Sequence, residues 1–103
     1  MTATDHAIAL TRVAAQAASD KLGSDLVAFD VSEPLAITDV FLIVSATNER
    51  QVGAIVDAVE EALLAHRTKP ARREGHGENR WVLLDFIDIV VHVMHSEERA
   101  LYA

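Results

Sequence analysis

A run of five apolar residues constrains the fold of this chain more than any other feature. Residues 40–44 read Val-Phe-Leu-Ile-Val, and three of the five side chains are β-branched. An unbroken apolar run of this length and composition is typical of a central strand that is buried on both faces. The sheet that contains the strand therefore needs helices over at least one face.

Two segments, one on each side of this run, have the apolar period of amphipathic helices. In residues 4–22 the apolar side chains recur at steps of three and four, with Thr4 as a candidate N-cap and Gly23 as the left-handed residue past the end. A second helix is predicted over residues 48–66, with Asn48 opening it. The chain therefore supplies two long helices.

The remaining segments have strand character. Residues 25–31 alternate apolar and polar side chains, and residues 71–74 can form a short edge strand inside a polar segment. Residues 81–86 and 89–94 are joined so closely that they are interpreted as a hairpin. We therefore predict a single α/β domain of the mixed α+β type over residues 1–103. It has a four- to five-stranded mixed sheet, with the two long helices packed on one face.

Alternation within the hairpin separates two sets of side chains. One set is wholly apolar and is predicted to lie in the core: Val82, Leu84, Phe86, Ile89, Val91 and Val93. The opposite set mixes an aromatic ring, aliphatic side chains, a carboxylate and an imidazole: Trp81, Leu83, Asp85, Val90, His92 and Met94. Such a mixture is typical of the desolvated centre of a protein–protein contact, in which tryptophan is a frequent anchor. Since both helices lie on the other face, we expect this face to be open to a partner.

Net charge and amino-acid composition limit the kinds of molecule that this chain is expected to bind. The chain has 16 acidic and 9 basic side chains, a net charge of −7, and no cysteine. The missing cysteine excludes disulfides, thiolate nucleophiles and cysteine metal sites. The acidic balance argues against binding nucleic acid by counterion release and suits a basic protein. A basic segment is interpreted as a solvated loop, with a minor RNA contact left open; its members are Arg67, Lys69, Arg72 and Arg73.

Two carboxylates at the hairpin turn allow a second interpretation. Asp85 and Asp88 could hold magnesium, as paired carboxylates do in phosphoryl transfer, or they could simply favour the turn by bonding its backbone. A nucleotide site also needs a glycine-rich phosphate cradle, and the nearest candidates, Gly75 and Gly77, lie in an irregular loop. Turn chemistry is therefore the preferred interpretation.

Other residues give weaker signals for catalysis or metal binding. His92 and His95 are three apart on an extended strand and so face opposite sides, which does not suit one metal ion and leaves His95 as a surface residue at the strand end. Ser45 lacks the neighbouring glycines of a nucleophile turn. Ser96 is predicted to cap a last helix over residues 96–102.

The first residues and the hydropathy pattern bear on localisation. No apolar run reaches the roughly 18–20 residues of a membrane span, and the first nine residues carry Asp5 and His6 rather than a basic leader. We therefore expect neither a signal peptide nor a membrane contact, and a cytoplasmic location.

Several segments resemble the ribosomal silencing factors, also called Iojap or YbeB-like proteins. The most specific are Trp-Val-Leu-Leu-Asp-Phe at 81–86 and Asp-Ile-Val-Val-His-Val at 88–93. The other matching segments follow the same order along the chain: residues 30–32, 37–43, 50–52 and 97–102. The chain differs from the usual family pattern at Ile87, where glycine is common, and it ends at Ala103, where members tend to continue with a further helical segment.

The resemblance implies a fold related to nucleotidyltransferases and a role in translation. Members of the family bind the large ribosomal subunit through its fourteenth ribosomal protein, at the surface where the small subunit docks. This contact prevents subunit joining and damps translation when nutrients are scarce. The resemblance therefore implies a steric plug with no catalytic residue, cofactor or metal.

The residue pattern and the resemblance together predict a partner-binding patch. Trp81 and Leu83 are the expected anchors, and Asp85 is the expected acceptor for a basic side chain of the partner. The full set of expected contacts is Trp81, Leu83, Asp85, Val90, His92, Met94, Arg99 and Tyr102. An exposed apolar patch also predicts a homodimer of the free protein. A residual nucleotidyltransferase or nucleotide-binding activity that uses Asp85 and Asp88, and a role in large-subunit assembly, stay open as alternatives.

Overall fold

A computed structural model describes residues 2–35 and 37–102. Three helices and five strands are found in these ranges: α1 (Asp5–Asp20), β1 (Ser24–Asp30), β2 (Val40–Ala46), α2 (Glu49–Leu64), β3 (Arg72–Glu74), β4 (Trp81–Asp85), β5 (Ile89–His95) and α3 (Ser96–Leu101). Thr4 and Asn48 cap α1 and α2 as predicted, since their side chains accept the backbone N–H groups of Ala7 and Gln51. None of these helices is long and apolar enough to cross a membrane.

The five strands form one mixed sheet in the order β1-β2-β5-β4-β3. Strands β2 and β5 are parallel, and the other neighbours are antiparallel. Helices α1 and α2 pack on one face, where their apolar side chains join those of β2, β4 and β5 in a single core. The predicted mixed sheet with both long helices on one face is confirmed.

Side-chain burial in β2, β4 and β5 confirms one part of the sequence prediction and corrects another. All six hairpin residues that were predicted to form the core are at most 5% exposed. Residues 40–44 lie in an interior strand, between β1 and β5, but β5 is the middle strand of the sheet and the expected burial of residues 40–44 on both faces is wrong. In β2, Phe41 and Ile43 are only partly buried, since they lie on the face that the helices leave uncovered.

Glycine at the end of α1 has a different role from the one predicted. The left-handed residue is Leu22, with φ of 63°, and not Gly23. Gly23 donates its N–H to the Ala18 carbonyl, and a Cβ at this position would lie 2.6 Å from Cγ2 of Val44. Glycine is therefore needed here because the helix end approaches β2 closely.

The hairpin turn has two residues, Ile87 and Asp88, because the Phe86 N–H donates to the Ile89 carbonyl across it. Residues 86–88 connect β4 to β5, and Ile87 adopts a left-handed conformation with φ of 74°. Oδ1 of Asp85 accepts the Ile87 N–H at 2.8 Å and stabilises this conformation. A β-branched residue is strained in this region of backbone space.

Ile87→Gly is expected to stabilise the protein. Relief of the left-handed strain, about 1–2 kcal/mol, exceeds the roughly 0.5–1 kcal/mol that glycine costs through unfolded-state entropy. Little burial is lost, since Ile87 is 52% exposed. Thermal unfolding should show a melting temperature higher by several degrees. Ile87→Ala keeps a Cβ and is the control, which should gain less; a lower melting temperature for the glycine variant would contradict the strain argument.

Candidate functional site

The face of the sheet opposite α1 and α2 is called the open face below. Cross-strand register places side chains from all five strands on it: Val27, Phe29, Phe41, Ile43, Ser45, Val90, His92, Met94, Trp81, Leu83, Asp85, Arg72 and Glu74. The predicted hairpin set lies together on this face. Sequence reasoning missed the contributions of β1 and β2, although the alternation of Val27 and Phe29 carried the signal.

An aromatic row crosses the centre of the open face. The Phe41 ring meets the His92 imidazole edge-on with ring centroids 5.0 Å apart. Nε1 of Trp81 donates a hydrogen bond to Nδ1 of His92 at 3.1 Å. On its other side Trp81 packs against Tyr102, with centroids 5.0 Å apart. The row therefore joins β2, β5, β4 and the end of α3.

The predicted contact residues divide by exposure. Trp81 and Tyr102 are 38% and 64% exposed, and Leu83 and Asp85 are partly buried. In contrast, Val90, His92 and Met94 are at most 9% exposed. Because β5 is the central strand, side chains of β2 and β4 flank these three residues on both sides. A partner would meet the first group directly, and the second group supports it from below.

Burial also determines the charge state of the imidazole in the row. Removal from water disfavours a charged ring and lowers the pKa of His92 below its ordinary value of 6.5. The ring is therefore neutral at pH 7. Since an indole nitrogen can only donate, Nδ1 of His92 carries no proton and the ring proton is on Nε2.

The two carboxylates near the turn have separate neighbours. Asp85 accepts the turn N–H described above, and its Oδ2 lies 3.9 Å from a guanidinium nitrogen of Arg72. Asp88 instead lies 3.7 Å from Nε2 of His6. In residues 2–35 and 37–102, no group of three or more histidine, aspartate or glutamate side chains is arranged to hold a metal ion. The geometry therefore agrees with turn chemistry for Asp85.

The short helix α3 is held over one end of the open face by hydrogen bonds of Arg99. Arg99 donates from one guanidinium nitrogen to Oγ of Ser45 and from the other to the Asp25 carbonyl, each at 2.8 Å. These bonds use the Arg99 side chain inside the protein and bring Tyr102 to Trp81. The role of Arg99 as a partner contact stays a prediction, because its guanidinium is engaged in these internal hydrogen bonds.

The predicted cap of α3 is wrong by one residue. His95, and not Ser96, is the N-cap, because its Nδ1 accepts the Glu97 N–H at 3.1 Å. His95 is also buried rather than a surface residue, with Nε2 at 3.2 Å from Glu49. Arg80 bonds three carboxylates nearby, and its guanidinium lowers the pKa of the Glu97 carboxyl. This cluster ties the start of α2 to β4 and α3.

Half of the basic segment is paired with acidic groups of the protein itself. Arg73 donates to Glu60 at 2.7 Å, and Arg72 lies 3.2 Å from Glu74. No ion pair of Arg67 or Lys69 is found in the part of the chain that the structure describes. Any contact with RNA phosphate would therefore depend mainly on these two side chains.

The fold and the site together define a class: small mixed α/β proteins with helices on one face of a five-stranded sheet and an aromatic row on the other. Residues 4–103 match the family described as ribosomal silencing factor during starvation. This chain belongs to the ribosomal silencing factor family. The resemblance noted in the sequence is confirmed.

Relatives agree with this assignment in sequence and in structure. Ribosomal silencing factor RsfS of Bacillus subtilis is 36% identical over 93 residues, which are 90% of this chain and 79% of the relative. The crystal structure of a Chromobacterium violaceum protein has a TM-score of 0.87 at 30% identity, and the match covers 90% of this chain and 78% of that one. A Bacillus halodurans structure has a TM-score of 0.83 at 36% identity, with coverage of 90% and 87%. Family membership supports a role in ribosomal silencing and translation regulation.

Proposed function

We propose that this protein is a translational repressor that binds the large ribosomal subunit through its fourteenth ribosomal protein. Bound there, it sterically blocks association with the small subunit and damps translation under nutrient limitation. The observation that carries the proposal is the open face, with Trp81 exposed beside Tyr102, in a chain of the ribosomal silencing factor family. The protein acts in the cytoplasm, where ribosomal subunits join.

The chemistry of the open face supports a protein partner. Its centre is apolar and aromatic, and exposed Val27 and Phe29 extend the apolar surface toward the β1 edge. A net charge of −7 suits a basic ribosomal protein, because complementary charge accelerates encounter while the apolar centre supplies affinity. Oδ1 of Asp85 is the turn acceptor, and a basic side chain of the partner would compete with Arg72, 3.9 Å away, for Oδ2.

The protein acts as a plug rather than as a catalyst. Asp85 and Asp88 contact different neighbours, so no contact among the described residues favours the nucleotide-handling alternative. Arg67 and Lys69 add a minor contact with ribosomal RNA.

The same open face joins two copies in a homodimer of the free protein, because large apolar areas seldom stay uncovered on monomers. Dimerisation then competes with binding to the ribosome.

A subunit-joining assay tests the proposal. Purified protein is mixed with large subunits, small subunits are added, and the products are separated on a sucrose gradient. The fraction of joined ribosomes should fall as the protein approaches the concentration of large subunits, and the protein should sediment with the large subunit only. Normal joining in the presence of excess protein would overturn the proposal, as would sedimentation with the small subunit alone. An acidic protein of similar size that lacks this fold is the control.

A further inference from the structure

Within residues 2–35 and 37–102, the indole N–H of Trp81 has one hydrogen-bond partner, Nδ1 of His92. This bond joins diagonal neighbours, because Trp81 is paired with Met94 across the hairpin and His92 with Leu83. The acceptor ring lies nine-tenths buried, against Phe41. The polar atom of the indole is thus engaged inside the protein, while Trp81 as a whole remains 38% exposed.

The hydrogen bond at Nδ1 leaves the other ring nitrogen of His92, Nε2, in an unfavourable environment. This nitrogen carries the ring proton, is buried and has no hydrogen-bond partner among the described residues. A buried N–H without an acceptor is unfavourable, and a phenylalanine of similar size would avoid that cost. Histidine is therefore favourable at this position because its Nδ1 accepts a hydrogen bond, and the donor of that bond is Trp81.

We infer that His92 is a positioning residue of the docking surface, which holds the Trp81 indole in the orientation that the partner meets. The inference rests on the proposed function for the role of Trp81 in binding. The orientation of the indole, however, is a property of each protomer and can be measured without a ribosomal partner, at a protein concentration at which size-exclusion chromatography shows a monomer.

Protonation of His92 would release the indole. An imidazolium carries a proton on both nitrogens and cannot accept the indole N–H. The ionisable groups of the open face, of α3 and of its C-cap are Arg72, Glu74, Asp85, Glu97, Glu98, Arg99 and Tyr102, and none of them makes a hydrogen bond or ion pair with the ring. Burial therefore dominates and lowers the pKa of His92, and a bond to neutral Nδ1 acts in the same direction. Because the pKa in the folded state is below the unfolded value, the bond persists above about pH 6.5 and is lost as the pH falls through the folded-state pKa.

Tryptophan fluorescence tests the inference directly, because the chain has a single tryptophan. Emission and anisotropy are recorded from about pH 8 to about pH 5 for the native protein, His92→Phe and His92→Asn. The native protein should show one transition below pH 6.5. His92→Phe should lose the transition and have lower anisotropy at pH 7. His92→Asn keeps an acceptor oxygen near the place of Nδ1, so it should retain the anisotropy of the native protein but show no transition.

A binding measurement then connects the orientation to the partner, with purified fourteenth ribosomal protein of the large subunit as the probe. His92→Phe should weaken binding by about tenfold, as expected for one hydrogen bond, while His92→Asn should rescue it. In a Trp81→Ala background, His92→Phe should have no further effect. If His92→Phe keeps both the anisotropy and the pH transition, the positioning role is overturned whatever the binding result. If the fluorescence results are as expected but Trp81→Ala binds the probe normally, the proposed docking surface fails instead.

Discussion

Trp81→Ala is expected to weaken binding to the large ribosomal subunit by about 2 kcal/mol, or roughly thirtyfold, and to leave the protein folded. Trp81 is 38% exposed on the open face, at the start of β4, and lies outside the core between sheet and helices. Truncation removes the contact surface that Tyr102 and His92 hold in place. Aromatic side chains with this combination of exposure and support are the usual energetic centres of protein interfaces.

Co-sedimentation with large subunits over a range of protein concentrations measures this effect. Leu64→Ala is the matched control, because Leu64 is a large apolar residue, 52% exposed, at the end of α2 and away from the open face. The control should bind as the native protein does. Equal binding of the Trp81 and Leu64 variants would show that the anchor lies elsewhere, and circular dichroism establishes that both variants are folded.

Local sequence pattern predicted the two faces of the hairpin correctly. Alternation over residues 81–86 and 89–94 has only one arrangement that buries six apolar side chains together, so the opposite set had to share the other face. This pattern was enough to identify Trp81 as an exposed residue. It was also enough to place both long helices on the face of the core residues.

Strand order could not be obtained from local pattern. The parallel pairing of β2 with β5 joins residues about fifty apart, and it puts β5 rather than β2 in the centre. This order explains why Val90, His92 and Met94 are more buried than a two-stranded hairpin suggests. It also explains why Phe41 lies beside His92 on the open face.

Side-chain contacts across the fold were equally invisible in the sequence. Arg99 reaches Ser45, which is 54 residues away, and His95 takes over the cap position that Ser96 was expected to hold. Left-handed conformations at Leu22 and Ile87 occur where sequence rules favour glycine. The bond of Arg99 depends on the tertiary fold, whereas the cap at His95 and the conformation of Ile87 are stabilised by hydrogen bonds between a side chain and a backbone N–H two residues further on.

Gly75→Ala is expected to be the most damaging of the glycine substitutions in the β3–β4 connection, with a loss of about 3 kcal/mol in the free energy of unfolding. Gly75 adopts φ of +78°, where a side chain is disfavoured. A Cβ at this position would lie 1.9 Å from the carbonyl oxygen of Trp81 and 2.9 Å from its carbonyl carbon. Because both atoms belong to the backbone, the clash cannot be relieved by a rotamer change, and we expect the start of β4 to be displaced.

Gly77→Ala separates the cost of a positive φ from the cost of the steric clash. Gly77 also has a positive φ of +109°, but a Cβ there would meet nothing within 4 Å. The free energy of unfolding of this control should fall only by the cost of the strained backbone conformation, about 1 kcal/mol. Denaturant unfolding of both variants gives the comparison, and equal losses would show that the close approach to Trp81 is not the cause. The displacement of β4 should also change the emission of the single tryptophan in Gly75→Ala and leave it unchanged in Gly77→Ala. A large loss of stability together with an unchanged indole signal would mean that the connection yields on the β3 side, and that the open face tolerates a shift of its edge strand.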